Sequence, residues 1–327
     1  MKVAYTVCSL NRLGQIRVLE RSLKKYNPDY RFIVGLADEL MDRIDVTQYP
    51  GIVFLSLSQL AIPEQENLVI QYDIFELSCA LKAYYGNYIM EHYEPDVLLY
   101  FDTDICVYHS FDVIESALEI APILLSPHFI SPVPDDGKFP LERDVLNSGL
   151  YNGGFFAVKK EAVVLAFLQW WEKRVSNQGY NNVAEGMMVD QLWLNLVPLY
   201  FKTHLFSHPG CNLAYWNMHE RHLTQTGTQY IVNEEPLVFF HFSGYRVNDP
   251  YRLSAHQNRH EVPDNSAIRN ILGEYHAALL DNHFNDYLSI PCVYGSNRLP
   301  KKHFFLKQWM INILSAAGYK LEKIRKV

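Results

Sequence analysis

The chain has 327 residues, is 49% apolar and 20% charged, and carries a formal net charge of −7. A chain of this length and apolar content buries a sizeable core without disulfide or metal staples. The 14% aromatic content argues against disorder, and the acidic balance excludes a sequence-independent nucleic-acid binder. Five cysteines (Cys8, Cys79, Cys106, Cys211 and Cys292) are odd in number and widely spaced, with no C-x-x-C, which points to a reducing compartment. The first residues read as a buried strand rather than a signal peptide, and no stretch reaches the roughly 18 apolar residues of a membrane span. The expected location is therefore the cytoplasm.

In chain order, Val3–Ser9 predicts a strand, Leu13–Lys25 a helix ending before Asn27-Pro28, and Tyr30–Leu36 a second strand followed by Asp38 as a helix cap. Gly51–Leu57 predicts a third strand, and Asn67–Tyr93 a long helix broken near Gly86. Asp96–Phe101 is an apolar run of the kind found in central strands. Strands separated by helices predict an α/β fold with a mainly parallel sheet, which binds ligands at the carboxyl ends of its strands. Ser126–Pro140, with four prolines, reads as a long loop of functional or mobile character. Gly149–Val158 predicts a strand, Lys160–Val175 and Ala184–Leu196 helices, and Leu237–Phe242 a last buried strand. After Gly244 the pattern turns helical, most clearly over Ser266–Leu288 and Lys301–Lys326.

Asp102-Thr103-Asp104 ends the apolar run at Phe101. In an extended chain the two carboxylates point the same way, where they repel unless a cation such as Mg²⁺ or Mn²⁺ sits between them. With 17 Asp in 327 residues chance supplies on the order of one such pair, so its position after a buried strand carries the weight. His241 lies in an apolar strand end, where a histidine is more often a satisfied core residue than a ligand. Ser243-Gly244 behind it suggest a tight turn whose N–H groups could meet a phosphate. Asn152 in the Asn-Gly-Gly of 152–154 offers donor and acceptor to a sugar hydroxyl, or marks a turn. Asp190-Gln191 inside an apolar helix need a reason to be there: a sugar ligand or catalytic base, or a structural acid. Lys82, on the helix feeding the Asp102 strand, either reaches a diphosphate or is a solvated helix lysine. His208–Arg221, with aromatics beside Asn and Arg, reads as a sugar-stacking segment or a core edge.

Taken in this order, these parts resemble the GT-A class of nucleotide-sugar glycosyltransferases, most closely glycosyltransferase family 8, over roughly residues 1–245. The resemblance implies a Rossmann-like catalytic domain over 1–245, with a nucleotide-binding half at 1–110 and a sugar and acceptor half at 111–245. Residues 246–327 are expected to form a helical extension with a basic amphipathic tail. It implies that Asp102, Asp104 and His241 hold a divalent metal, usually Mn²⁺ with Mg²⁺ as the other candidate. It also implies a nucleoside-diphosphate-sugar donor, expected to be UDP-linked, with Lys82 near the phosphates and Asn152, Asp190 and Gln191 near the donor sugar. The expected activity is retaining transfer of a hexose-type sugar to a glycan or lipid-linked acceptor. Were it inverting, Asp190 would be the first candidate for the base. The Lys-Pro-Trp that usually follows the histidine motif is replaced by Tyr245-Arg246, so the cation for the diphosphate here is Arg246 or a distant Lys.

Three rivals are weaker. A sugar-1-phosphate nucleotidylyltransferase needs a Gly-rich loop where Ser9–Gln15 has one glycine. A zinc hydrolase is suggested by His204/His208 and His256/His260 at i,i+4, without the glutamate of H-E-x-x-H. A non-catalytic sugar- or nucleotide-binding protein has no need of the intact acid pair. Finally, residues 300–327 hold seven Lys or Arg against Glu322 around an apolar run, which suggests peripheral contact with the inner face of a membrane.

Overall fold

The computed structural model describes residues 1–63 and 65–295. The basic segment 300–327 lies outside the described residues.

The chain opens with β1 (Lys2–Cys8), α1 (Leu13–Tyr26), β2 (Tyr30–Leu36) and β3 (Ile52–Leu55). Next come α2 (Gln65–Gln71), α3 (Ile74–His92), β4 (Val97–Phe101) and β5 (Ile105–Val107). Then follow α4 (Asp112–Leu118), β6 (Ile123–Pro127), α5 (Glu142–Ser148), β7 (Tyr151–Lys159) and α6 (Ala162–Gln178). Among the described residues the main sheet has seven strands, in the order Thr203–Leu205, β6, β7, β4, β1, β2, β3. Pairing is parallel except where β7 inserts antiparallel between β4 and β6. This is the mixed, mainly parallel α/β sheet that the alternating pattern predicts.

Helices cover both faces, and alternate residues of one strand serve each side. Tyr5, Tyr100 and Phe156 face α3 and α6, through Leu81, Tyr85, Phe167 and Trp171. Ala4, Leu99, Phe101 and Phe155 face α1 and α4, through Ile16, Leu19, Ile114 and Leu118. Burial of each such large side chain contributes roughly 1.5–3 kcal/mol, which fixes the position of β4 and hence of the acids that follow it. A third cluster joins Val18 of α1 to Phe240, Phe242 and the helix Ala267–Asp281, where Tyr275 stacks on Phe242 at 3.7 Å.

Several local expectations are corrected. The helical stretch before β4 breaks at Tyr72-Asp73, not at Gly86, because Asp73 and Glu76 form a capping box that starts α3 afresh. Gly86 sits inside α3, where a Cβ would lie 2.9 Å from the Tyr5 hydroxyl. Asp38 caps no helix. It is fully buried, accepts from the N–H groups of Leu10, Glu39 and Val293, and pairs with Arg43 at 2.7 Å. Residues 184–196 form no α-helix: a 3-10 turn, the short strand Met187–Met188 and a 3-10 helix Gln191–Leu196 replace it. The 126–140 loop is pinned, with Arg259 donating to the carbonyls of Pro134, Lys138 and Pro140, and Glu220 accepting from Ile130 and Ser131. His204 lies in a strand and His208, His256 and His260 in irregular segments, so neither histidine pair has helical spacing. All five cysteines are free.

Candidate metal centre and adjoining cavity

β4 delivers Asp102 and Asp104 at its carboxyl end, as the parallel-sheet argument expects. The two acids lie in a tight turn rather than an extended chain, with the Ile105 N–H donating to the Asp102 carbonyl. The turn reverses into β5, which pairs antiparallel with the strand Phe239–His241 in a register that sets His241 opposite Ile105. His241 Nε2 thereby lies 3.1 Å from Asp104 Oδ1 and 4.0 Å from Asp102 Oδ2. One ligand atom from each of the three residues falls within 4.8 Å of the others, the only such metal-ligating group among the described residues.

Two carboxylate oxygens and an imidazole nitrogen suit Mn²⁺ or Mg²⁺. A second observation supports the fit. Gly154 of β7 passes so close that a Cβ there would sit 2.4 Å from His241 Cε1 and 2.8 Å from Asp102 Oδ2. The strand is cut back to glycine where the three ligands converge. Burial works against protonation of His241, but Asp104 and Asp102 outweigh it and hold its pKa above the ordinary value. Burial likewise opposes the charge on Asp104, yet His241 keeps its carboxyl below the ordinary range.

Lys82 is neither exposed nor free. It is buried, donates to the Gly153 carbonyl at 2.9 Å, and lies 3.3 Å from both Asp102 Oδ1 and Asp190 Oδ2. Burial alone would lower its pKa; Asp102 and Asp190 raise it well above the ordinary value, so the ammonium stays charged. Asp102 is thus divided: Oδ1 takes Lys82 and the Tyr100 hydroxyl, and Oδ2 faces His241. Asp190 is 1% exposed, and burial raises its pKa against the pull of Lys82. Apart from Lys82 and the neighbouring Cys79 thiol, its carboxylate meets no hydrogen-bond donor among the described residues. Gln191 bridges two elements, accepting from the Gly153 N–H at 2.8 Å and donating to the Ser148 carbonyl at 2.9 Å. Asn152 is buried, and its Oδ1 is already taken by the N–H of Gly154 and the amide of Asn212.

Lys82, Asp102 and Asp104 border a cavity of about 260 Å³ lined also by Ser9, Asn11, Arg12, Gln15 and Ser78, with Ile74 and Phe75 apolar; His241, Asn152, Asp190 and Gln191 lie outside its lining. Ser243 and Gly244 form a turn after His241, closed by the Tyr245 N–H on the Phe242 carbonyl, with Gly244 at φ +74°. Arg246 is exposed and makes no ion pair among the described residues. Arg246 is not among the residues lining the cavity, whereas the exposed Arg12, at the end of the 3-10 turn Leu10–Arg12 after β1, is. Sequence reasoning treats Ser9–Gln15 only as a glycine-poor loop and misses it. Asn212 falls in the His208–Arg221 segment read for sugar stacking, but its contact with His241, and that of Tyr100 with Asp102, go unforeseen.

No family model matches the chain. Among curated proteins it is similar to two from Bacillus subtilis (strain 168). They are the uncharacterized protein YfnF, 26% identical over 255 residues covering 76% of this chain and 83% of YfnF, and YfnD, 23% identical over 248 residues covering 74% and 77%. Among solved structures it is similar to the galactosyltransferase LgtC, determined with donor and acceptor sugar analogues, at TM-score 0.49 and 15% identity over 85% of this chain and 96% of that one. It is also similar to the glycosyltransferase GlyE of Streptococcus pneumoniae TIGR4, at TM-score 0.48 and 15% identity over 89% of this chain and 65% of GlyE.

Proposed function

We propose that this chain is a metal-dependent glycosyltransferase that moves a hexose-type sugar from a nucleoside-diphosphate donor, UDP-linked by preference, to a glycan or lipid-linked acceptor with retention of anomeric configuration. The observation that carries this reading is the Asp102–Asp104–His241 cluster at the carboxyl end of the central strand, whose two acids line a cavity together with Arg12. A nucleoside diphosphate brings negative charge, and the acidic chain offers it a local cation rather than a basic surface. When bound, a divalent ion supplies Lewis-acid stabilisation of the charge on the departing diphosphate.

The chain's own residues do the rest. Asp102, Asp104 and His241 supply the ligand atoms. Arg12, on its exposed turn, meets phosphate oxygens. Lys82 has its donors committed to Gly153, Asp102 and Asp190, so its part is to hold both carboxylates in place. Asp190 Oδ2 is held by Lys82, 3.3 Å from where a Cβ of Gly153 would be, which leaves Oδ1 for a donor-sugar hydroxyl. Gln191 holds β7 to the Ser148 carbonyl beside it. Asp190 is too buried and too firmly paired to take a proton from an acceptor, which favours retention over inversion.

The test is a panel of nucleotide sugars incubated with Mn²⁺, reading released nucleoside diphosphate, followed by proton NMR of the product's anomeric centre. Release from a UDP-sugar with an α-linked product from an α-donor supports the reading. Absence of release from every donor supports a binding protein instead.

A further inference from the structure

Deepening the metal-site reading on which it rests, we propose that Asn212 is a positioning residue that fixes His241 in its Nδ1–H tautomer and so presents Nε2 to the cation. The polarity of the network follows from one group that cannot be reversed. The backbone N–H of Gly154 donates to Asn152 Oδ1 at 3.2 Å, so that atom is an oxygen. The Asn212 side-chain atom 3.2 Å from the same oxygen must then be the amide nitrogen. That nitrogen also donates to Ser126 Oγ at 3.2 Å, which uses both its hydrogens. What remains is Asn212 Oδ1, an acceptor only, 3.3 Å from His241 Nδ1. Nδ1 therefore carries a proton toward Asn212, and Nε2 is the nitrogen left for a cation lying between the ring and Asp104 and Asp102.

Asn212 is itself held firmly. It is fully buried, and its φ of +57° lies in the left-handed region that asparagine tolerates better than most side chains. Its carbonyl accepts from the Asn217 side chain at 3.0 Å, and the neighbouring Leu213 carbonyl takes the His241 N–H at 2.9 Å. The segment thus touches His241 through backbone and ring together. Partners of this kind, behind a metal-bound histidine, are generally worth 10–100-fold in metal affinity.

The experiment combines ¹⁵N-histidine NMR, read for a proton on His241 Nδ1 whatever the state of Nε2, with Mn²⁺ titration calorimetry. Wild-type protein is expected to hold that proton both metal-free and loaded with diamagnetic Mg²⁺. In Asn212→Leu the Nδ1 proton is lost and the Mn²⁺ dissociation constant rises about 10–100-fold. Should Asn212→Leu fail to fold, Asn212→Ala gives the same readout, because it leaves no side-chain acceptor toward Nδ1. An Nδ1 proton and a Mn²⁺ affinity both unchanged in the Leu or Ala variant overturn the proposal. Wild-type protein that binds no Mn²⁺ overturns the metal reading instead, and the Nδ1 proton of the metal-free protein still decides the role of Asn212.

Discussion

Gly154→Ala perturbs the proposed centre without removing any ligand. The added Cβ would lie 2.4 Å from His241 Cε1, 2.8 Å from Asp102 Oδ2 and 2.9 Å from Asn152 Oδ1. Ordinary carbon contact begins near 3.4 Å, so the imidazole must withdraw by about 1 Å. Metal sites tolerate displacements of only about 0.2 Å, so the loss amounts to one ligand. Cε1 lies between the two ring nitrogens, and its movement disturbs both the Nδ1 bond to Asn212 and the aim of Nε2. The expected weakening of Mn²⁺ binding is at least 10–100-fold, or about 1.4–2.7 kcal/mol, against an overpacking cost in stability of about 1–3 kcal/mol. Gly153→Ala is the control: its Cβ meets Gln191 Cβ at 3.2 Å and Asp190 Oδ2 at 3.3 Å, contacts that relax by a few tenths of an ångström. Calorimetric Mn²⁺ titration of both variants, each first checked for a cooperative thermal transition, decides the matter. A folded Gly154→Ala protein that binds Mn²⁺ as tightly as wild type would refute the reasoning.

Lys82→Met leaves the buried Asp190 as an uncompensated charge, while the part-exposed Asp102 keeps the Tyr100 hydroxyl, so urea unfolding at pH 7 is expected to show a loss of about 3–5 kcal/mol. A loss under about 1 kcal/mol would mean that the pair is solvated. His128 is neutral in the fold, its Nδ1 against the Leu150 carbonyl at 3.2 Å, and burial pushes its pKa down to about 4. The unfolded chain therefore binds the extra proton first. Stability is full above about pH 6.5 and falls by about 3 kcal/mol as pH drops toward 4. His260, also lowered to about 4 by burial, adds a parallel loss. Comparing unfolding of His128→Gln with wild type at pH 7 and 4.5 isolates the first contribution, and an equal pH slope in both proteins would contradict it.

Much of the fold is legible in the sequence because buried parallel strands write apolar runs. Tyr30–Leu36 is predicted with its observed bounds, and β1, β4 and β7 to within a residue or two. The reading fails where tertiary contacts override local pattern. Residues 184–196 have helical spacing, but Asp190 is drawn to buried Lys82 and Gln191 to β7, which leaves 3-10 turns around the short strand Met187–Met188. Asp38 looks like a cap because a lone acid follows a strand, yet its partners lie up to 255 residues away. At the site, the Asp pair is visible as a motif, whereas His241 by residue type alone reads as core and becomes a candidate ligand through the family resemblance. What places it beside the acids is the antiparallel pairing of β5 with Phe239–His241, a contact across more than a hundred residues that no local spacing encodes. Arg12 stays hidden, and Asn212 is noticed only as part of a sugar-stacking segment, for the same reason: a single polar residue in a loop gains its meaning from what folds against it.

The central claim is that Asp102, Asp104 and His241 act together as one cation site on which donor cleavage depends. The most direct measurement is nucleoside-diphosphate release from a UDP-sugar, titrated with Mn²⁺ after chelator treatment, in wild type and in Asp102→Asn, Asp104→Asn and His241→Ala. Saturable Mn²⁺ dependence in wild type, with release falling by at least about 100-fold in all three variants, is the predicted result. Release that proceeds equally in chelator, or that survives loss of the two acids, would contradict it.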